Sequence, residues 1–256
     1  MSAPAGVIDL HGRVAFVTGG NRGIGAAVVR ALHRAGAEVF FTYRSRAEEA
    51  RALCEQLGGR VATHRLDVAD PAALAPAIDA CVAHFGRLDA LVNNAAIFEE
   101  NRFDRDDFDA WRAGWRRTFD VNLFAAADLA FLAMRAMRSA GEGTIVNIAS
   151  RAGHRGELTF ADYGASKAAM INLTKSIARS CARDGIVAFS VAPGFVATEM
   201  AAADLARNGD AIVAEIPLGR VADPDEVAHA VAFVCTPLAR HLNGATLDVN
   251  GGSYVR

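Results

Sequence analysis

Lysine is almost missing from this sequence of 256 residues: Lys167 and Lys175 are its two, and arginine supplies the rest of the 27 basic side chains. A surplus of charge is missing as well. The formal net charge of -2 offers no long-range attraction for nucleic acid or for an anionic membrane surface, so neither is an expected partner. Cysteine is scarce. Cys54, Cys81, Cys181 and Cys235 stand far apart with no C-x-x-C pair, which excludes a dithiol motif and the usual spacing of zinc ligands, and no metal site is expected. They read as small apolar residues in a reducing compartment. The opening MSAPAGVIDLHGR has neither the basic start nor the apolar run of a secretion signal, and no later segment reaches the roughly 18 uninterrupted apolar residues of a membrane span. The expected location is cytoplasmic.

No Pro/Ser/Gly linker, low-complexity block or repeat divides the chain. Hydrophobic residues at 52% and charged residues at 22% describe a globular protein with ample material for a core. Folds of the α/β class often fill about 250 residues as one unit, so residues 1–256 read as a single domain. Seven β-rich runs are present: RVAFVT (13–18), EVFFTY (38–43), RVATHRLDV (60–68), LDALVNN (88–94), TIVNIAS (144–150), IVAFSVAP (186–193) and ATLDVN (245–250). Between the early runs, segments such as IGAAVVRALHRAG carry apolar residues at helical spacing and stop at glycine. This alternation predicts a mostly parallel, doubly wound α/β sheet with helices on both faces, because each parallel crossover needs a helix to return the chain. Residues 95–107 and 194–217 read as irregular and, lying after strands, as walls of a substrate site. Segments 118–137 and 162–182 are apolar or small around most of their circumference, more than one buried face requires. Their outer faces are expected to meet another subunit, although alanine is also simply a good helix former.

TGGNRGIG (18–25) runs from the first strand directly into a helix. Gly19, Gly23 and Gly25 permit a tight turn and close approach of backbone to a phosphate, with the helix amides and dipole facing the anion. A dinucleotide site normally distinguishes NAD by an Asp or Glu at the end of the second strand, whereas a 2'-phosphate needs that anion absent and an arginine supplied. The chain reads FFTYRSR at 40–46, with no carboxylate, Arg44 available and Arg22 in the glycine loop. NADP(H) is therefore expected ahead of NAD(H), with surface arginines in an arginine-rich chain as the plain alternative. Asp67, followed by Val68, closes the third strand, where a carboxylate suits an adenine amino group or an ordinary turn. NNAA (93–96) ends the fourth strand with small side chains that would let backbone pass close to the cofactor.

One of the two lysines follows Tyr163 by four residues, in DYGASKAAM. With about 3.6 residues per turn, that spacing sets Tyr163 and Lys167 on one face. A phenol titrates near ~10, and an adjacent ammonium would lower that value and make it a better proton carrier. Ser150 lies thirteen residues earlier, at the end of the fifth strand, where its hydroxyl would donate to a carbonyl oxygen while Tyr163 passes a proton. Asn122 is expected to open the long helix before that strand and to bind a water that resupplies the proton.

Together these residues resemble the short-chain dehydrogenase/reductase family over essentially the whole chain. TGGNRGIG resembles its cofactor loop, NNAA its N-N-A-G with Ala96 in the last place, PGFVATEM (193–200) its P-G segment, and Asn122, Ser150, Tyr163 and Lys167 its active-site tetrad. The resemblance implies a Rossmann-type sheet in the order 3-2-1-4-5-6-7 and commonly a homotetramer packed through the two alanine-rich helices. It implies a cofactor site of Gly19, Asn21, Arg22, Gly23, Ile24, Gly25, Arg44, Ser45, Asp67, Val68, Asn94, Ala95, Tyr163, Lys167, Pro193, Gly194, Val196 and Thr198. Ser150, His154, Tyr163 and Phe195 would face a carbonyl or alcohol substrate. IPLGRVADPDEVA and GATLDVNGGSY are most similar to 3-oxoacyl-[acyl-carrier-protein] reductases, which implies a 3-oxoacyl thioester and an acyl carrier protein as partner. Asp184 and Gly141 occupy positions where arginine is expected for that partner, with Arg138 and Arg183 nearby. A small ketone, a polyol or a secondary metabolite remains the alternative substrate, and a nucleotide-sensing regulator without turnover the alternative class.

Overall fold

In the computed structural model, which describes residues 8–104 and 106–256, the β-rich runs become β1 (Val14–Val17), β2 (Glu38–Tyr43), β3 (Val61–Arg65), β4 (Ala90–Asn93), β5 (Gly143–Ile148), β6 (Ile186–Pro193) and β7 (Thr246–Val249). The opening stretch inspected for a secretion signal falls partly outside the described residues. All seven strands pair in parallel, in the order 3-2-1-4-5-6-7. Every residue of β1, β4, β5 and β6 is buried, as strands covered on both faces require.

The covering helices are α1 (Gly23–Arg34), α2 (Ala47–Leu57), α3 (Pro71–Phe85), α4 (Phe108–Phe119), α5 (Ala125–Ala140), α6 (Ala161–Ser180), α7 (Glu199–Ala214) and α8 (Pro224–Val234). Alternate strand residues point to opposite layers. Val17 and Val146 pack with Leu32 of α1 and Val231 of α8, whereas Phe16 and Ile145 pack with Leu74 of α3, Leu129 of α5 and Ile177 of α6. Helix boundaries follow local chemistry. Asp70 accepts from the Ala72 amide to cap α3, with Pro71 next to it, and α3 ends at Gly86 in the left-handed region. Asp223 and Glu226 form a reciprocal capping box at α8.

Three expectations are corrected. Residues 194–217 are not irregular throughout: α7 spans most of them, because the alanine-rich run that encodes little polar recognition is a strong helix former, and only Asn208 (φ -136°, ψ 22°) interrupts it. Asn122 does not open a helix; it lies in a π-turn, Asp120–Phe124, between α4 and α5. Such a turn inserts a residue into a helix, and it occurs disproportionately at functional sites. The outer face of α6 is polar, exposing Asn172, Lys175, Ser176 and Arg179. The apolar exposure belongs instead to α4 and α5, where Phe108, Phe124 and Phe131 are exposed and Trp111, Trp115 and Phe119 form a ladder of ring contacts. Among the described residues, no helix is long and apolar enough to cross a membrane.

Candidate functional site

The chain leaves β1 toward β2 on one side and toward β4 on the other. In an open parallel sheet, the carboxyl ends of strands at such a reversal border a crevice suited to ligands. The glycine loop occupies this place. Gly19 (φ 64°) and Gly23 (φ 52°) are left-handed, a conformation that costs glycine little. A Cβ on Gly25 would lie 2.1 Å from the Gly19 carbonyl oxygen and 2.6 Å from Asn94 Nδ2, so a side chain there would displace the loop. No side chain caps α1, whose N-cap is Arg22. Its first amides therefore face the crevice without an internal acceptor, which fits a phosphate group. Ile24 packs on the core below.

Asn94 and Ala95 brace this loop. The Asn94 side chain donates to the carbonyls of Thr18 (2.9 Å) and Gly19 (3.1 Å), and the amides of Asn94 and Ala95 both donate to Thr18 Oγ1 at 2.9 Å. Asn93 points inward to Asn147 Oδ1, and Asn147 continues to Thr174 and Ser190. This buried polar chain joins β4, β5, β6 and α6, and the sequence reading did not include it. At the end of β3, Asp67 accepts from the Ala69 amide at 3.1 Å and is exposed, with Val68 buried beside it.

Two guanidiniums, those of Arg22 and Arg46, converge in this structure. Arg46 has φ 60°, the one left-handed residue other than glycine among those described, and its carbonyl and that of Ser45 accept from the Asn21 side chain. This turns Arg46 toward the glycine loop, while Arg44 is exposed and offers its carbonyl to Arg65. Arg22 and Arg46 both reach Glu199, the first residue of α7, at 3.2 and 2.8 Å. Hydrogen bonds from Arg46 and Arg22 hold the Glu199 carboxyl below the usual carboxylate range.

Farther along the same edge, Ser150 lies two residues past β5 and caps a short turn, accepting from the Ala152 amide at 3.1 Å. Its hydroxyl acts on the Tyr163 phenol, pulling that group's pKa down. Phe98 meets the Tyr163 ring edge-on at 4.8 Å. Lys167 is 2% exposed, lies 5.6 Å from the centre of that ring and donates to the Ile148 carbonyl at 2.7 Å. Asn122, fully buried, donates to the Ile97 carbonyl at 3.0 Å and accepts from the Ile97 amide at 2.8 Å. It also reaches Ser166 on α6 at 3.3 Å. The four residues singled out for proton transfer thus share one neighbourhood.

The expected acidification of the phenol is overturned. Burial pushes Tyr163 up to about 12 against the pull of the Ser150 hydroxyl, and Glu157 adds to the rise. Burial also takes Lys167 down to about 7. Desolvation is the largest cause of both shifts. Tyr163 is a protonated acid in this structure, and Lys167 titrates near neutrality.

The P-G segment crosses above the crevice. Pro193 ends β6, Gly194 donates to the Val249 carbonyl at 3.0 Å, Val196 is buried, and a Cβ on Gly23 would lie 3.4 Å from Thr198. Phe195 lies under the Arg151 guanidinium, 5.4 Å from its ring centre. His154 is not a free loop side chain: its ring stacks on Tyr254 at 5.8 Å and its Nε2 lies 3.5 Å from Asp248. Arg151, Arg46, Glu199 and Glu215 were missed by sequence reasoning. Their partners are remote in sequence, and the available signal was Arg151 standing directly after Ser150.

The family model described as "Enoyl-(Acyl carrier protein) reductase" matches residues 19–254. The 3-oxoacyl-[acyl-carrier-protein] reductase FabG of Vibrio cholerae serotype O1 is 38% identical over 97% of this chain and all of its own length. The acetoacetyl-CoA reductase of Shinella zoogloeoides is 35% identical over 94% of this chain and 98% of its own. Among solved structures, a short-chain dehydrogenase/reductase described as glucose/ribitol dehydrogenase from Brucella melitensis superposes with a TM-score of 0.89 at 31% identity, over 97% of this chain and 99% of that one. With the sheet order, the glycine loop at the switch point and the Ser150, Tyr163, Lys167 neighbourhood already in place, the chain belongs to the short-chain dehydrogenase/reductase family.

Proposed function

We propose that this protein is an NADP(H)-dependent ketoreductase, with a 3-oxoacyl thioester as the substrate suggested by its similarity to FabG-type and acetoacetyl-CoA reductases. The observation that carries the reading is the grouping of Ser150, Tyr163 and Lys167 beyond the carboxyl end of β5, on the same sheet edge as a glycine loop whose helix amides lack a side-chain cap. A bound nicotinamide supplies or accepts the hydride. Ser150 donates a hydrogen bond to the substrate oxygen and orients it. Tyr163, held protonated by burial, gives that oxygen its proton as negative charge develops. Lys167, titrating near neutrality, would hold ribose hydroxyls through its donors and replenish the phenol's proton. Asn122, in the π-turn, fixes Ile97 and would bind a water that resupplies the proton. Reduction uses the acid form of Tyr163 and oxidation its phenolate, so oxidation would accelerate with rising pH.

Arg22 and Arg46 would take the 2'-phosphate, whose charge and bidentate geometry suit two guanidiniums. The Phe108 to Phe131 face of α4 and α5 would be covered by a second copy, and a homotetramer is the assembly expected from the family. Carrier docking has weaker support, since Arg138 is paired with Asp184 at 2.8 Å and Gly141 merely ends α5; Arg183 is the free basic candidate. The test is a turnover screen of ketones, alcohols and acyl thioesters with both nicotinamide cofactors, on wild type and Tyr163→Phe. Loss of about 100-fold or more in kcat for Tyr163→Phe, with NADPH affinity kept, is expected of a general acid. Retained turnover would remove Tyr163 from that role.

A further inference from the structure

Arg151 follows Ser150 directly, and its environment is unusual for an arginine. It is 4% exposed. A guanidinium has five N–H donors, yet no hydrogen bond from this one is formed among the described residues, and Nη1 is a buried nitrogen without a partner. Glu215, just after α7, is its nearest anion at 3.7 Å, beyond hydrogen-bond range and shared with Arg155 at 3.5 Å. Glu215 is also half exposed, with 56% of its side chain accessible, so solvent screens what it offers. Burying a cation without hydrogen bonds is costly and persists where something compensates it.

The position narrows what that compensation is. The guanidinium lies between the turn that begins at Ser150 and the ring of Phe195, in the segment leading to α7. Phe195 belongs to the segment expected to face substrate, so the guanidinium borders that wall directly after Ser150. We propose that Arg151 binds a carboxylate of the substrate, so that the physiological substrate is an oxo acid, reduced to the corresponding hydroxy acid, in which the carboxylate lies within a few bonds of the carbonyl. The proposal rests on the assignment of Ser150 and Tyr163 as the reacting site and replaces the thioester with a free oxo acid as the substrate. In the reaction the carbonyl carbon gains hydride from the nicotinamide, its oxygen gains the Tyr163 proton, and the carboxylate is unchanged. A single negative charge is favoured over a phosphate dianion because one buried cation balances one anion, and Glu215 and Glu157 nearby would oppose a second charge. A carboxylate can also accept two parallel guanidinium bonds, the geometry arginine provides and lysine does not.

The experiment compares acetoacetate and levulinate with their methyl esters. Wild type is expected to show kcat/KM at least about tenfold higher for each acid than for its ester, and Arg151→Met to lose that preference by slowing the acids while sparing the esters. Calorimetric titration of levulinate into the protein without cofactor should give binding to wild type and none to Arg151→Met or Arg151→Gln, whose folding is checked by thermal unfolding. Equal kcat/KM for acid and ester in wild type, or an equal loss of both in the variants, overturns the carboxylate site while leaving the reductase reading intact. Levulinate binding that depends on Arg151, without turnover of any ketone by wild type, supports the site and removes the catalytic reading instead.

Discussion

The two halves of the site are built from different materials. On the cofactor side, Thr18, Gly19, Asn94 and Ala95 are joined by short bonds in which at least one partner is backbone. On the substrate side, residues 151–157 meet α7 and the C-terminal strand through Arg151, Arg155, Glu157, Glu215, His154 and Asp248, at 3.5 to 3.7 Å. The first half is rigid and tolerates little change in shape. In the second, long side chains meet at loose distances, an arrangement that holds a position while leaving room for a ligand to replace one of the pairs. A fixed cofactor cradle facing an adaptable wall is what one scaffold needs to serve many substrates.

Glycine substitutions break this comparison most sharply. Gly25→Ala puts a Cβ against the Gly19 carbonyl, with no flexible side chain to yield, and should destabilise the fold by about 1–3 kcal/mol while largely abolishing dinucleotide binding. Gly156→Ala, in the substrate loop, meets nothing within 4 Å and should leave both unchanged. Thermal unfolding and fluorescence titration with NADPH measure the pair. Similar behaviour of the two variants would erase the distinction between the halves.

That distinction also explains what was legible in the sequence. The glycine loop, the alternation of strands and helices and the Tyr163 and Lys167 spacing were readable because each is written as a local pattern, whereas the sheet order and the set of Asn122, Ser150, Tyr163 and Lys167 came from the family resemblance. The meeting of Arg46 with Arg22 at Glu199 was not legible, because it depends on the left-handed φ of Arg46 and the Asn21 bonds that fix it. Residues 194–217 were read as irregular because a functional loop was expected after β6, although Glu199–Ala214 has the composition of a helix. The direction of the Tyr163 shift was misread for another reason. A lysine four residues away is visible in sequence, but the burial that raises the phenol depends on the whole of α6 packing against β5 and β6.

The next largest effect belongs to the arginine pair. Arg22→Ala with Arg46→Ala should raise the dissociation constant of NADPH about 100-fold and that of NADH less than about threefold, since two charge-assisted contacts are lost to a group that NADH lacks. Paired titrations measure both. Equal losses would mean that the phosphate is held elsewhere.

Lys167 gives a pH signature on the cofactor half. Its pKa in the folded protein is lowered to about 7 from the 10.5 of an ordinary lysine. Between these values the unfolded chain binds the proton and the folded one does not, so this group makes stability rise with pH across that window. Lys167→Met keeps the apolar stem and removes the titration. Melting temperatures of wild type should therefore gain on those of the variant between about pH 7 and pH 10. A difference that stays constant with pH would mean that the buried lysine keeps its proton.

Glu199 gives the smallest effect and links the two halves. Its carboxylate stands at the start of the substrate helix and occupies the guanidiniums of the cofactor loops. A 2'-phosphate must compete with it for Arg22 and Arg46, and in the bound state the two anions would repel. Glu199→Gln removes the competitor while keeping the shape. Because all three side chains are well exposed, solvent and salt screen the pairs, and the expected gain in NADPH affinity is only about two- to fivefold, shrinking as salt is added. NADH affinity should not change, because no phosphate competes. A loss of NADPH affinity in Glu199→Gln would show that the carboxylate arranges the arginines for the phosphate rather than competing with it, and the cofactor half would then depend on the substrate helix for its shape.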